Sequence, residues 1–165
     1  MASKARLRQA EQDDLALLTH LLVETFTFYG QPPPCSRDEL ALRLIKGLNC
    51  TPGFEALLAE GEDEDSALGY AIYAPVFWTS DCELSLFLKE IYLRPQSRGR
   101  GLGQMMMQRL AQIALERGWT KLVWTVDHGN RAARRFYDRL PGAYQLDKLV
   151  YLQTGDALER FGQGI

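Results

Sequence analysis

Leu84-Ser85-Leu86-Phe87-Leu88-Lys89-Glu90-Ile91-Tyr92-Leu93, followed by Arg94-Pro95-Gln96-Ser97 and then Arg98-Gly99-Arg100-Gly101-Leu102-Gly103-Gln104, is the stretch that decides the fold. An apolar run with strand character leads into a glycine-rich turn, and a run of helical spacing, Leu102 to Arg117, leads out. Strand, glycine turn and helix together can hold a phosphate. Glycines let the backbone approach closely and adopt positive φ, and the first helical N–H groups point outward unpaired. Arg98 and Arg100 add positive charge for a polyanion.

Two familiar phosphate patterns fail here. A P-loop needs Gly-Lys followed by Ser or Thr, where this chain has Gly103-Gln104-Met105. A dinucleotide fingerprint needs G-x-G-x-x-G with an acid about 20 residues on, a distance that falls here at Val123-Trp124. Arg-x-x-Gly-x-Gly does fit. The stretch Leu88 to Gly103, with its strand, its Pro95 and the later segment Asn130-Arg131-Ala132-Ala133-Arg134-Arg135-Phe136-Tyr137, resembles the acetyl-CoA motif of the GNAT N-acetyltransferases.

Composition agrees with an enzyme of that size. The 165 residues suit one domain, 1–165, with a real core; 46 % are hydrophobic and 24 % charged. A net charge of −2 gives no basic face for nucleic acid. Cys35, Cys50 and Cys82 are odd in number and far apart, so neither a disulfide framework nor a metal site is expected. Without an apolar leader or a run of about 18 apolar residues, no membrane role is expected, and a cytoplasmic location is.

Read in order, the chain predicts a strand over Lys4–Ala10 and a helix to about Phe28 with Leu15, Leu18, Leu22 and Phe26 on one face. Pro32-Pro33-Pro34 forbids helix, and Ser36-Arg37-Asp38-Glu39 reads as a capping box opening a second helix. Strands follow over Phe54–Glu60 and Leu68–Trp78, joined by the acidic tip Gly61–Ser66, which reads as a solvated turn. Beyond the long helix, whose C-cap is read at Gly118, the expectations are a strand at Lys121–Val126, a helix at Asn130–Leu140, a last strand at Leu149–Leu152 and a helical tail at Asp156–Phe161.

This alternation is α/β in class, a mixed sheet covered on both faces. The resemblance implies more: a mostly antiparallel sheet whose middle strands, Leu84–Leu93 and Lys121–Val126, splay apart to admit acetyl-CoA. The pantetheine amides would pair with the backbone of Ile91, Tyr92 and Leu93. The pyrophosphate would rest on Arg98, Gly99, Arg100, Gly101, Leu102, Gly103 and Gln104, with Asn130 and Ala133 also at the cofactor.

Acetyl transfer needs a neutral amine and a proton for the leaving thiolate. An alkylamine with a pKa near that of lysine is neutral in only about one molecule in 10³ at pH 7, so a base is useful. Glu90 is the candidate base. Tyr137 is the candidate acid, a phenol that is protonated at neutral pH and matches the tyrosine of the family's Asn-x-x-Ala-x-x-Phe-Tyr. The resemblance is closest to the polyamine/diamine branch, where Glu90 matches the second residue of an acidic pair. The first is Lys89 here, which removes a carboxylate that would attract a polyamine; alternation turns it to the opposite face.

The acceptor wall is expected from Glu24–Gln31 and Phe77–Glu83, aromatic through Phe26, Phe28, Tyr29, Phe77 and Trp78, with Glu24, Asp81 and Glu83 as amine anchors and Lys89 also at the substrate. His20 and His128 read as structural. The expected activity is acetyl-CoA-dependent N-acetylation of a small primary amine by direct attack in a ternary complex, without metal, and the resemblance implies a homodimer. A protein lysine or N-terminal acetyltransferase and a non-catalytic acyl-CoA-binding regulator stay open.

Overall fold

The computed structural model describes residues 5–50, 53–61 and 67–164. They form two units, residues 1–126 and 127–165. In the first unit a five-stranded sheet runs in chain order: β1 (Arg6–Gln9), β2 (Glu55–Glu60), β3 (Ala67–Trp78), β4 (Glu83–Leu93) and β5 (Leu122–Trp124). Every neighbouring pair is antiparallel except β4 with β5, which is parallel and joined through α3 (Leu102–Glu116). Between β1 and β2 lie α1 (Leu15–Phe28) and α2 (Arg37–Asn49). The acidic tip Glu62–Ser66 lies outside the described residues.

Cross-strand register divides the sheet into two apolar faces. Leu58, Tyr70 and Tyr92 are successive partners across β2, β3 and β4, and they pack with Leu18, Leu21 and Leu44 of α1 and α2. The opposite parity carries Leu57, Ala71, Tyr73, Leu86 and Leu88, all buried, and α3 packs on β4 and β5 with Met106, Leu110 and Ile113 buried. The buried stripe of α1 differs from the expected leucine pattern, because Thr19 and Thr25 lie in it and Leu15, Leu22 and Phe26 are only half-buried. Both hydroxyls are satisfied within the helix, donating to the carbonyls of Leu15 (2.7 Å) and Leu21 (2.9 Å). Ser36 caps α2 as expected, accepting the Glu39 N–H at 3.2 Å.

In the second unit α4 spans Arg131–Tyr137, shorter than the expected Asn130–Leu140, and α5 spans Gly155–Gly162. The strand expected at Leu149–Leu152 is absent. These four residues are 80–88 % exposed and belong to no ladder among the described residues. Strand-forming residues specify a strand only when a neighbour supplies the other half of the hydrogen bonds. β5 is likewise three residues long where six were expected, and the C-cap of α3 is Arg117, one residue before Gly118.

Candidate active site

The site is built on the end of β4. Pairing with β5 covers only Leu86, Phe87 and Leu88, opposite Leu122, Val123 and Trp124. From Lys89 to Leu93, β4 has no strand on that side among the described residues, which leaves backbone groups available in the segment Ile91–Leu93. This is the splayed gap that the resemblance implies.

A β-bulge sits where the two strands part. The register steps from Ile72 opposite Glu90 to Tyr73 opposite Leu88, so Lys89 is the extra residue. The alternation expected for Lys89 and Glu90 is interrupted there, as bulges do when they re-aim a side chain. Glu90 shares its face with Tyr92, and hence with Tyr70 and α1; it is half-buried while Lys89 is exposed. Burial raises the Tyr70 phenol, and the charge of Glu90 raises it further. No residue preference announces a bulge, since it is a mismatch in count between two strands.

After β4, Pro95–Ser97 makes one tight helical turn and the glycine turn follows. Gly99 and Gly101 hold φ of +75° and +80°, a region that other residues enter only with strain. Nothing lies within 4 Å of where a Cβ would stand at either position, so the turn is open on its glycine side. Among the described residues the amides of Gly99 to Gln104 donate to no carbonyl of the fold, and the α3 ladder begins with Met105 N–H to the Gly101 carbonyl at 3.0 Å. Free amides, an open cradle and two arginines fit a pyrophosphate. Arg98 also lies against the ring of Phe28, and its Nε donates to the Leu93 carbonyl at 2.8 Å.

On the α1 side, Phe28 and Tyr29 end the helix half-exposed, their rings edge to face at 5.3 Å. Glu24 is already engaged. Arg94 grips its carboxylate through Nε (2.9 Å) and Nη2 (2.7 Å) and donates from Nη1 to the Ala67 carbonyl (2.7 Å), while His20 Nε2 lies 3.0 Å from the same carboxylate. The Arg94 guanidinium holds the Glu24 carboxyl below its ordinary range, and Glu24 in return raises Arg94. Asp81 and Glu83 are engaged too, by Lys121 and by the Thr120 hydroxyl (2.7 Å). Arg94 had no signal in the sequence, because its partner stands 70 residues away.

The depressed carboxyl sets a pH dependence. The ion pair stabilises fully above the ordinary glutamate value of 4.5 and is lost as pH falls through the lower folded-state value. Both groups are partly solvated, so Glu24→Gln is expected to cost about 1 kcal/mol at pH 7 in urea unfolding. The gap between variant and wild type should narrow as pH falls below the ordinary glutamate range and through the lower folded-state value.

In the second unit, α4 positions three predicted residues. Asn130 is the N-cap, its Oδ1 accepting the Ala133 N–H at 3.1 Å, which leaves the side-chain NH2 for a ligand. Tyr137 closes the helix, half-buried, with its ring 5.2 Å from that of Phe136.

Residues 16–142 match the profile of the Acetyltransferase (GNAT) family. The chain belongs to the GNAT acetyltransferase family. It is accordingly an acetyl-CoA-dependent N-acetyltransferase. Among curated GNAT relatives, the thialysine N-epsilon-acetyltransferase of Mus musculus is 31 % identical over 154 residues, covering 88 % of this chain and 87 % of that one. Among solved structures, an integron cassette protein from V. cholerae superposes with a TM-score of 0.84 at 22 % identity, over 99 % of each chain. A predicted acetyltransferase of Clostridium acetobutylicum, solved with acetyl-CoA, gives a TM-score of 0.70 at 21 % identity, over 90 % of this chain and 96 % of that one. At such identities these two structures speak for the fold.

Proposed function

We propose that this GNAT enzyme transfers the acetyl group of acetyl-CoA to the primary amine of a small molecule, an amino-acid side chain or a diamine, by direct attack in a ternary complex. The observation that carries the reading is the parting of β4 from β5 beside an open glycine turn with free amides. The likeness to a thialysine acetyltransferase over most of both chains supports the acceptor class.

In this reading the amides of Gly99 to Gln104, with Arg98 and Arg100, hold the pyrophosphate. The backbone of Ile91 to Leu93 pairs with the pantetheine amides, and Asn130 donates from its side-chain NH2. Bound acetyl-CoA supplies an activated thioester. Glu90, turned to the α1 side by the bulge, takes a proton from the ammonium form of the acceptor, directly or through water, and so restores the lone pair that attacks the acetyl carbon. Tyr137 donates its phenolic proton to the departing thiolate. Phe28 and Tyr29 wall the acceptor with aromatic faces that suit an amine on its way in. Glu24, already bound to Arg94, shapes that wall.

We further propose a single functional domain, a homodimer and a cytoplasmic location. The family profile spans both units. The exposed Leu149–Leu152 run, with Leu158 and Phe161 of α5, is apolar surface of the kind a second copy would cover. Cys35, Cys50 and Cys82 are free thiols, as in a reducing compartment.

Thiol release from acetyl-CoA tests the activity against thialysine, lysine, putrescine, spermidine, an aminoglycoside and a histone-tail peptide. Turnover is expected with thialysine or a similar short amine, and spermidine is expected to be the poorer substrate because Lys89 stands where the polyamine branch has an acid. Turnover with the peptide alone would make it a protein acetyltransferase. Binding without turnover of any amine would favour a regulator.

A further inference from the structure

The cofactor turn and the acceptor wall meet at one side chain. The guanidinium carbon of Arg98 lies 4.1 Å from the centre of the Phe28 ring and 5.8 Å from that of Tyr92. Phe28 stands edge-on to Tyr92 at 6.0 Å, and Tyr92 lies 6.1 Å from Tyr70, whose hydroxyl is 3.0 Å from that of Thr25. The stack is therefore rooted in the core at Tyr70 and Tyr92 and ends in the open at Phe28, which is 47 % exposed. Burial does not account for a large apolar ring so placed; its face is spent on the guanidinium. Arg98 is fixed at two points, the ring and the Leu93 carbonyl. Among the described residues neither of its terminal NH2 groups has a hydrogen-bond or ion-pair partner, so both remain for an anion at the turn.

We propose that Phe28 is a positioning residue for the cofactor: it holds Arg98 in place beside the glycine turn, so that a residue of the acceptor wall sets the affinity for acetyl-CoA. The inference rests on the reading of that turn as the phosphate grip. A long cation held in advance loses less rotamer freedom when the anion arrives, which is the ordinary gain of preorganisation. The same contact makes the end of α1 answer to cofactor occupancy, and by reciprocity an acceptor that orders Phe28 tightens the hold on acetyl-CoA.

The test is calorimetric titration of acetyl-CoA into wild type, Phe28→Leu, Phe28→Tyr, Arg98→Ala and the Phe28→Leu/Arg98→Ala double variant, each checked for its Tm. Leucine keeps apolar volume and removes the π face. Phe28→Leu is expected to raise Kd about twofold to fivefold, the range of an exposed cation–π contact, and Phe28→Tyr to restore it. In the Arg98→Ala background the same leucine substitution should leave Kd unchanged, because the residue it positions is gone. If Phe28→Leu does not fold, Arg98→Lys, which keeps the charge and loses the planar group, should weaken binding to the same degree. Additive effects of the two substitutions, or an unchanged Kd in Phe28→Leu, would overturn the coupling while leaving the cofactor reading intact. Failure of wild type to bind acetyl-CoA would overturn both.

Discussion

Tyr137→Phe is expected to lower kcat about a hundredfold or more and to leave the Kd for acetyl-CoA near that of wild type, the range of one positioned general acid. The substitution removes an oxygen and little else. The ring stays at the end of α4 against Phe136, half-buried, so this packing is kept. A deficit in kcat with Kd and Tm unchanged is therefore a deficit in chemistry. Unassisted, the thiolate must leave without the proton that the phenol would give it. Stopped-flow thiol release under single-turnover conditions, with any amine found active, separates this from slow product release. A kcat equal to that of wild type would remove Tyr137 from the mechanism. A loss confined to Kd would make it a binding residue.

Glu90→Gln removes the base of the proposed mechanism. Its effect should be largest at low pH, where the acceptor is most fully protonated, and smallest as pH approaches the pKa of the amine, where the lone pair no longer needs to be freed.

The parts of the molecule that were legible in the sequence are those whose cause is local. Gly99 and Gly101 announced a turn because only glycine accepts those φ values cheaply, and Ser36 announced a helix start because its hydroxyl finds the Glu39 amide three residues on. The apolar runs of β2, β3 and β4 were read within a residue or two of their ends. The features hidden from the sequence depend on pairs distant in the chain. The bulge at Lys89 exists only in the register of β4 against β3. The grip of Arg94 on Glu24 crosses 70 residues and occupies a carboxylate that, read alone, looks available to an amine. The Phe28–Arg98 contact links two motifs that the sequence presents as separate, one on each side of the site. The run Leu149–Leu152 shows the converse: strand propensity alone leaves an exposed segment outside any ladder of the described residues.

Gly69→Ala is expected to be strongly damaging, and the reason is space. Gly69 faces Leu93 across the β3–β4 ladder. A Cβ there would be driven into the Tyr92 carbonyl oxygen and would meet the Leu93 Cα at 3.0 Å, so the atoms that must yield are backbone atoms. A flexible side chain can turn aside, but a ladder cannot. This end of β3 is also pinned to the residue just past β4, by the Arg94 N–H on the Leu68 carbonyl (2.9 Å) and by the Arg94 side chain on the Ala67 carbonyl (2.7 Å). Relief by local movement would break those contacts and loosen the clamp on Glu24. The expected cost is about 3 kcal/mol, at the upper end for overpacking. For a chain of this length that lowers Tm by roughly 6–12 °C. The displaced segment, Tyr92 to Arg94, also leads into the glycine turn, so acetyl-CoA affinity should fall even at temperatures where the variant stays folded. Measuring Kd well below the lowered Tm separates the two effects: weakened binding there means that the close approach of β3 to β4 sets the position of the turn, whereas wild-type affinity would confine Gly69 to stability.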